Sequence, residues 1–256
     1  MASLEVHQFN CLDDNFGVLI HDQATGATAS IDAPDADPVF KALDDKGWSL
    51  SHILVTHKHA DHTQGIAALK AKTGCLVVGP AGEADQFEGC DQTLGEGDQF
   101  DFAGHVAKIF ETPGHTLGHI AYWFETDGLL FAGDTLFSLG CGRVFEGSFE
   151  QMWASLDKLR RLPGETQVYC GHEYTQSNAR FALTIEPGNA ALQARVARVA
   201  ELRAQDKPTL PTTIAAERDT NPFLRPESDE IQELLGLAGQ PAAEIFAEIR
   251  RRKDAG

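Results

Sequence analysis

The segment Thr56-His-Lys-His-Ala-Asp-His62 sets three imidazoles and a carboxylate within six residues. Neutral imidazole nitrogens and carboxylate oxygens are donors that zinc, iron and manganese all accept, so the spacing points to a metal site. In an extended loop the side chains at i and i+2 share a side. His57 and His59 can therefore grip one ion as neighbours while the adjacent Asp61 and His62 diverge. Four ligands at this spacing suit two ions better than one, whereas a polar surface loop would carry such a cluster only by accident.

An ion held by nitrogen and oxygen usually gathers three or four protein groups. Further donors recur in one setting, a polar residue beside glycine at the end of a short apolar strand. They are His115 in Thr112-Pro-Gly-His115, Asp134 in Phe131-Ala-Gly-Asp-Thr135, and His172 in Cys170-Gly-His-Glu-Tyr174. Strand ends followed by glycine turns are where a chain brings distant residues together. Asp134 has two carboxylate oxygens and is the natural bridge between two ions. With the ligand count filled, His119 is expected to support the site rather than ligate. His7, His21, His52 and His105 lack this setting and default to core or surface roles.

The elements that must position these residues follow from the hydrophobic pattern. Strands are predicted at 16–20, 27–31, 53–55, 76–78, 106–110, 120–124, 129–132 and 168–170, with a hairpin turn between the first two, a helix over 38–46 and Leu69 on another. Strands interleaved with helices imply an α/β or mixed sandwich. Beyond residue 173 the pattern becomes helical over 189–204, 231–237 and 243–249, broken by Pro208, Pro211, Pro222 and Pro226. Asn221-Pro222 reads as a structural turn. The expected division is a domain over 1–173 and a helical domain over 174–256.

Charge and cysteine content narrow the partners. The 256 residues carry 21 Lys and Arg against 38 Asp and Glu, a formal net charge of −17, which argues against nucleic acid and against an anionic membrane surface. No basic leader opens the sequence and no stretch nears the roughly 18 apolar residues of a membrane span, so a soluble cytoplasmic protein is expected. Five widely spaced cysteines without a C-x-x-C pair indicate neither a disulfide framework nor a thiolate zinc site. Cys141 and Cys170, although near motifs, are expected to be buried bystanders.

These residues carry a family resemblance. T-H-x-H-x-D-H, G-H-T-x-G-H, F-A-G-D-T-L-F, C-G-H-E-Y-T and T-N-P-F-L-R occur in this order between Thr56 and Arg225. The chain thereby resembles the metallo-β-lactamase fold superfamily and, within it, the glyoxalase II (hydroxyacylglutathione hydrolase) family. The resemblance implies an αβ/βα sandwich followed by a helical domain that helps to bind glutathione. It implies that His57, His59 and His115 hold one divalent ion, that Asp61, His62 and His172 hold a second, and that Asp134 bridges. Zinc is the expected metal, with iron and manganese suiting the same ligands. The implied reaction is hydrolysis of the thioester of S-D-lactoylglutathione, the second step of methylglyoxal detoxification, by a monomer with Asp61 and Asp134 as catalytic carboxylates.

Glutathione contacts implied by the resemblance are Arg143, Tyr174, Arg250 and Lys253. The last two stand at i and i+3 on one helix face. Arg143 stands where many members have lysine and Phe145 where many have tyrosine, so a hydrogen bond from a hydroxyl at 145 is lost. Two other functions remain open at this point: a glutathione persulfide dioxygenase with a single iron, a class that typically lacks the long helical tail, and a metal-binding protein without catalysis. Four of the 21 basic residues lie consecutively at 250–253, a local patch that would receive an anionic small molecule within an acidic chain.

Overall fold

A computed structural model describes residues 3–256, which cluster into two compact units, 3–111 with 116–133 and 112–115 with 134–256. The first unit is built on β1 (Glu5–Cys11), β2 (Asn15–His21), β3 (Ala27–Ile31), α1 (Ala36–Lys46), β4 (Ser49–Leu54), α2 (Ala60–Thr63), α3 (Ile66–Thr73), β5 (Leu76–Pro80), β6 (Gln92–Leu94), β7 (Gln99–Phe102), β8 (His105–Glu111), β9 (Ile120–Phe124) and β10 (Leu129–Phe131). β1 to β3 pair antiparallel, and β3 to β6 continue the same sheet in parallel. A parallel step needs a crossover, and α1 and α3 supply it. α1 is stopped at both ends by its own sequence. Asp35 accepts the Asp37 N–H at the N-terminus, and Gly47 adopts φ +69° beyond the last turn.

The apolar faces of α1 and α3 close over the sheet, where Leu19, Val39, Leu43, Ile53, Val55, Leu69 and Val77 form one buried cluster. Each side chain of this kind contributes about 1.5–3 kcal/mol on burial. β7 to β10 form an antiparallel meander. The fully buried Tyr122 of β9 donates its hydroxyl to Val55 O at 2.8 Å, which joins the meander to the sheet just before Thr56. β1 escaped the sequence reading because its side chains are mostly half-buried, so no clean alternation marks it. One expectation is corrected: His57 and His59 precede the short helix α2, but Asp61 and His62 lie inside it rather than in an extended loop.

The second unit contains β11 (Leu136–Phe137), β12 (Gly140–Cys141), α4 (Phe149–Arg160), β13 (Gln167–Tyr169), α5 (Thr175–Ile185), α6 (Ala190–Arg203), β14 (Thr212–Thr213), α7 (Ile214–Thr220), α8 (Asp229–Leu235) and α9 (Ala242–Ala255). α4 opens on a capping box in which the Ser148 side chain and Gln151 satisfy each other's backbone N–H groups. The tight β11–β12 hairpin follows Asp134 and precedes Arg143. It is held by side chains of the helices: Asn178 donates to Ser138 O at 3.0 Å, Asn221 donates to Gly140 O at 2.9 Å, and Glu217 accepts the Leu139 N–H at 2.9 Å. These bonds explain why 134–173 clusters with the helices that follow it.

Glu217 is fully buried and also accepts from Thr212, Asn221 and Arg195. Asn221 caps the 3-10 turn Pro222–Leu224 by accepting the Phe223 N–H, as its Asn-Pro dipeptide predicts. Removing one partner of a buried ion pair leaves the other charge uncompensated. Glu217→Ala is expected to lower unfolding free energy by about 3–5 kcal/mol in urea titration. A loss below about 1 kcal/mol would show that this network does not hold the hairpin.

Candidate metal centre

In the first unit, β3 runs out at Asp32, whose φ of +57° turns its buried carboxylate toward the end of β4. Oδ1 accepts the Thr56 N–H at 2.7 Å, while Oδ2 accepts the Thr56 hydroxyl at 2.9 Å and His62 Nδ1–H at 2.8 Å. The single hydroxyl proton of Thr56 is thereby committed, so Thr56 Oγ1 accepts from His57 Nδ1 at 3.0 Å. Both imidazoles are held in the tautomer that leaves Nε2 as the unprotonated nitrogen, the form a metal takes.

His57 Nε2 lies 3.1 Å from His59 Nδ1, and His62 Nε2 lies 3.6 Å from Asp61 Oδ2. Asp61 is steadied by Asn15, whose Nδ2 donates to its carboxylate at 3.2 Å and to its backbone oxygen at 3.0 Å. Asp32, His57 and His62 each offer an atom within 4.8 Å of the others, a group able to hold a cation. His119 stacks on His57 with ring centroids 4.9 Å apart.

In the second unit, the other donors gather on one oxygen. His115 Nε2 lies 3.4 Å and His172 Nε2 3.3 Å from Asp134 Oδ2, with all three residues about 5% exposed or less. His115 Nδ1 donates to Arg143 O at 2.8 Å, which again leaves Nε2 as the lone-pair atom. The backbone that allows this passes very close, since a Cβ on Gly142 would lie 1.9 Å from Asp134 O and 3.3 Å from His115 Nδ1. Only glycine fits there. His172 stacks on Tyr174 at 4.6 Å and 3°, and Phe137 meets both rings edge-on.

The expected substrate residues differ in their placement. Arg143 is 60% exposed in its side chain, lies over the exposed Phe145 ring, and approaches Asp254 Oδ1 at 3.6 Å. Phe145 in turn sits 5.2 Å from the His115 ring. Tyr174 is partly exposed. Arg250, by contrast, is 3% exposed: it donates to Cys141 O at 3.2 Å and to Asp254 at 2.7 Å and stacks on Phe223, so its guanidinium faces protein. Lys253 is half-buried over Phe181, and burial followed by the neighbouring Arg250 charge brings its ammonium down to about 8. Burial pushes the Cys141 thiol up to about 11 and the Cys170 thiol higher still, which leaves both protonated and inert at neutral pH.

Asp32, Asn15, Glu217 and Asp254 went unread in the sequence. The one available signal was Asp32 at the end of an apolar strand, as Asp134 is, though without the glycine that stands beside Asp134.

Family models match both parts of the chain: the metallo-beta-lactamase superfamily over residues 24–172 and the hydroxyacylglutathione hydrolase C-terminus over 173–256. A hydroxyacylglutathione hydrolase of Methylococcus capsulatus is 57% identical over 251 residues, covering 98% of each chain, and one of Rhizobium meliloti is 52% identical over 254 residues, covering 99% of each. The chain belongs to the hydroxyacylglutathione hydrolase family. Among solved structures, ETHE1 from Myxococcus xanthus aligns with a TM-score of 0.67 at 27% identity, covering 98% of this chain and 99% of that one. The BLEG-1 B3 metallo-beta-lactamase also reaches 0.67, at 21% identity, covering 86% of this chain and all of that one. The fold is thus the metallo-β-lactamase fold carrying a C-terminal helical region, the α/β class expected from the sequence. No helix of the described residues is long and apolar enough to cross a membrane.

The Asp32 bonds can be tested directly. Asp32→Asn offers one oxygen in place of two and turns an amide NH2 toward Thr56 or His62, which favours the wrong His62 tautomer. Zinc affinity in a chelator-competition titration is expected to fall by about 10- to 100-fold with the circular dichroism unchanged. Unchanged affinity would show that Asp32 does not orient His62.

Proposed function

We propose that the chain hydrolyses the thioester of S-D-lactoylglutathione and related S-2-hydroxyacylglutathiones to glutathione and the free 2-hydroxy acid. The observation that carries the reading is the donor set. His57, His62 and His115 are each hydrogen-bonded at Nδ1; His57 Nε2 lies 3.1 Å from His59 Nδ1, and the Nε2 lone pairs of His62 and His115 face carboxylate oxygens at 3.6 and 3.4 Å. Such a pair repels unless a proton or a cation stands between, so these residues fit a metal centre.

In this reading His57, His59 and His115 hold one divalent ion, Asp61, His62 and His172 hold another, and Asp134 serves both. Zinc is our assignment, with iron and manganese as alternatives. Bound divalent ions supply a hydroxide at neutral pH, by lowering the pKa of water to about 7, and an electrophile for the thioester carbonyl. The remaining steps belong to side chains. Asp61, steadied by Asn15, would orient the attacking oxygen through a hydrogen bond. Buried Asp134 places His115 and His172 at one point. Glutathione departs as thiolate, which needs little acid assistance because thiols are far more acidic than alcohols.

We assign catalysis to 1–173 and substrate capture to 174–256 together with Arg143. Arg143 and Lys253 present positive charge to the glutathione carboxylates, Tyr174 lies beside His172, and Arg250 acts from beneath by bracing Cys141. The family model over the helical C-terminus and the whole-chain identity to named hydrolases favour hydrolysis over a persulfide dioxygenase. A cytoplasmic monomer is the corresponding cellular reading, in keeping with five free cysteines.

The deciding experiment is hydrolysis of S-D-lactoylglutathione by purified protein, with elemental analysis and with a chelator arm. Turnover abolished by chelation and restored by zinc is expected; persulfide-dependent oxygen uptake without thioester cleavage would overturn the reading. Asp134→Ala should lose bound metal and reduce turnover at least about 100-fold, consistent with losing a shared ligand. Wild-type metal stoichiometry in that variant would refute a shared carboxylate.

A pH dependence follows from Lys253. Its ammonium is charged below about 8 and neutral above, so its attraction for a substrate carboxylate is complete at low pH and lost as pH rises through 8. KM is expected to rise about tenfold between pH 7 and 9, the worth of one charge-assisted hydrogen bond, and Lys253→Met should flatten that rise. A variant with the wild-type pH profile would remove Lys253 from the binding site.

A further inference from the structure

Glu83 lies in the turn after β5, 1% exposed, and the mechanism above makes no use of it. Its Oε1 accepts the Lys58 N–H at 2.8 Å and the Thr116 hydroxyl at 3.0 Å, and its Oε2 accepts the Gly118 N–H at 3.0 Å. Lys58 is the residue between His57 and His59. Thr116 and Gly118 lie in the segment that runs from His115 to His119. The contact is close as well as polar, since a Cβ on Gly118 would lie 2.8 Å from the Gly82 carbonyl carbon and 2.9 Å from Glu83 Cγ.

We propose that Glu83 is a positioning residue of the metal centre, its carboxylate clamping the His57–His59 loop and the Thr116–Gly118 segment in one arrangement. The proposal rests on the metal-centre reading above. Both segments have left their strands, so the Lys58 and Gly118 N–H groups have no sheet partner, and an unpaired buried N–H costs about 1–3 kcal/mol. Two oxygens that only accept satisfy three donors at once, which an amide cannot do. Among the described residues no lysine, arginine or histidine side chain pairs with Glu83. A buried anion without a counter-charge is costly by itself and is compensated when cations occupy the neighbouring histidines. The carboxylate therefore both shapes the loop and favours cation uptake.

The test compares Glu83→Gln, nearly the same shape, with Glu88→Gln, the same charge change at an exposed neighbour. Metal-free protein is titrated with zinc against a chromophoric chelator. Zinc affinity is expected to fall about 10- to 100-fold in Glu83→Gln and to stay at the wild-type value in Glu88→Gln. Excess zinc should then restore kcat on the thioester, with KM unchanged. Wild-type zinc affinity in Glu83→Gln, whatever its melting temperature, would overturn the proposal, as would a loss of kcat that zinc does not restore. Absence of thioester cleavage by the wild-type protein would refute the functional reading while leaving the zinc titration decisive for Glu83; absence of zinc binding by the wild type would refute both.

Discussion

Lone pairs held a little over 3 Å apart inside a protein repel, and the low effective dielectric of a buried site makes that repulsion large. His115, whose Nδ1 is committed to Arg143 O, meets one oxygen of Asp134 in this way, and His172 Nε2 reaches the same oxygen. The chain invests its most constrained backbone in maintaining the arrangement. Asp32 sits at positive φ, and Gly142 passes Asp134 where no side chain fits. Such an arrangement is stable when positive charge fills it, so the architecture is best understood as a scaffold for cations.

Three buried carboxylates outside the ligand set do the holding, each at a different level. Asp32 fixes the tautomer of His62 directly and that of His57 by way of Thr56. Glu83 ties down the backbone between histidines. Glu217 fixes the β11–β12 hairpin that leads from Asp134 to Arg143. All three accept from backbone N–H groups at points where the chain has left regular structure, and an acceptor with two oxygens and no proton is the side chain best suited to that task. Part of the acidity of the chain is therefore structural.

The basic residues proposed to face substrate show how burial sorts a run of like charges. Arg250 and Lys253 are close in sequence and share a helix, yet Arg250 is spent on Cys141, Asp254 and Phe223 while Lys253 keeps a half-exposed ammonium of lowered basicity. Arg143, the residue that departs from the commoner lysine, is the most exposed of the three cations in its side chain. Positive charge is thus presented by Arg143 and Lys253 and braced from below by Arg250, a division that helical spacing alone does not reveal.

Periodicity and motif spacing were sufficient for the strands and helices with strong apolar faces, for the helical C-terminus, and for the family, because His57 to His62 and the later glycine-flanked donors are local patterns written in consecutive residues. Weakly alternating, half-buried β1 and the helical placement of Asp61 and His62 were not legible, whereas α4 carries a readable local signal in its Ser148 and Gln151 capping box. Asp32, Asn15, Glu83 and Glu217 likewise went unread. Each is an ordinary polar residue in sequence, and each makes a hydrogen bond to a group between 24 and 78 positions away. Local sequence determines which atoms can bind a cation; which way those atoms point depends on long-range hydrogen bonds that exist only once the chain has folded.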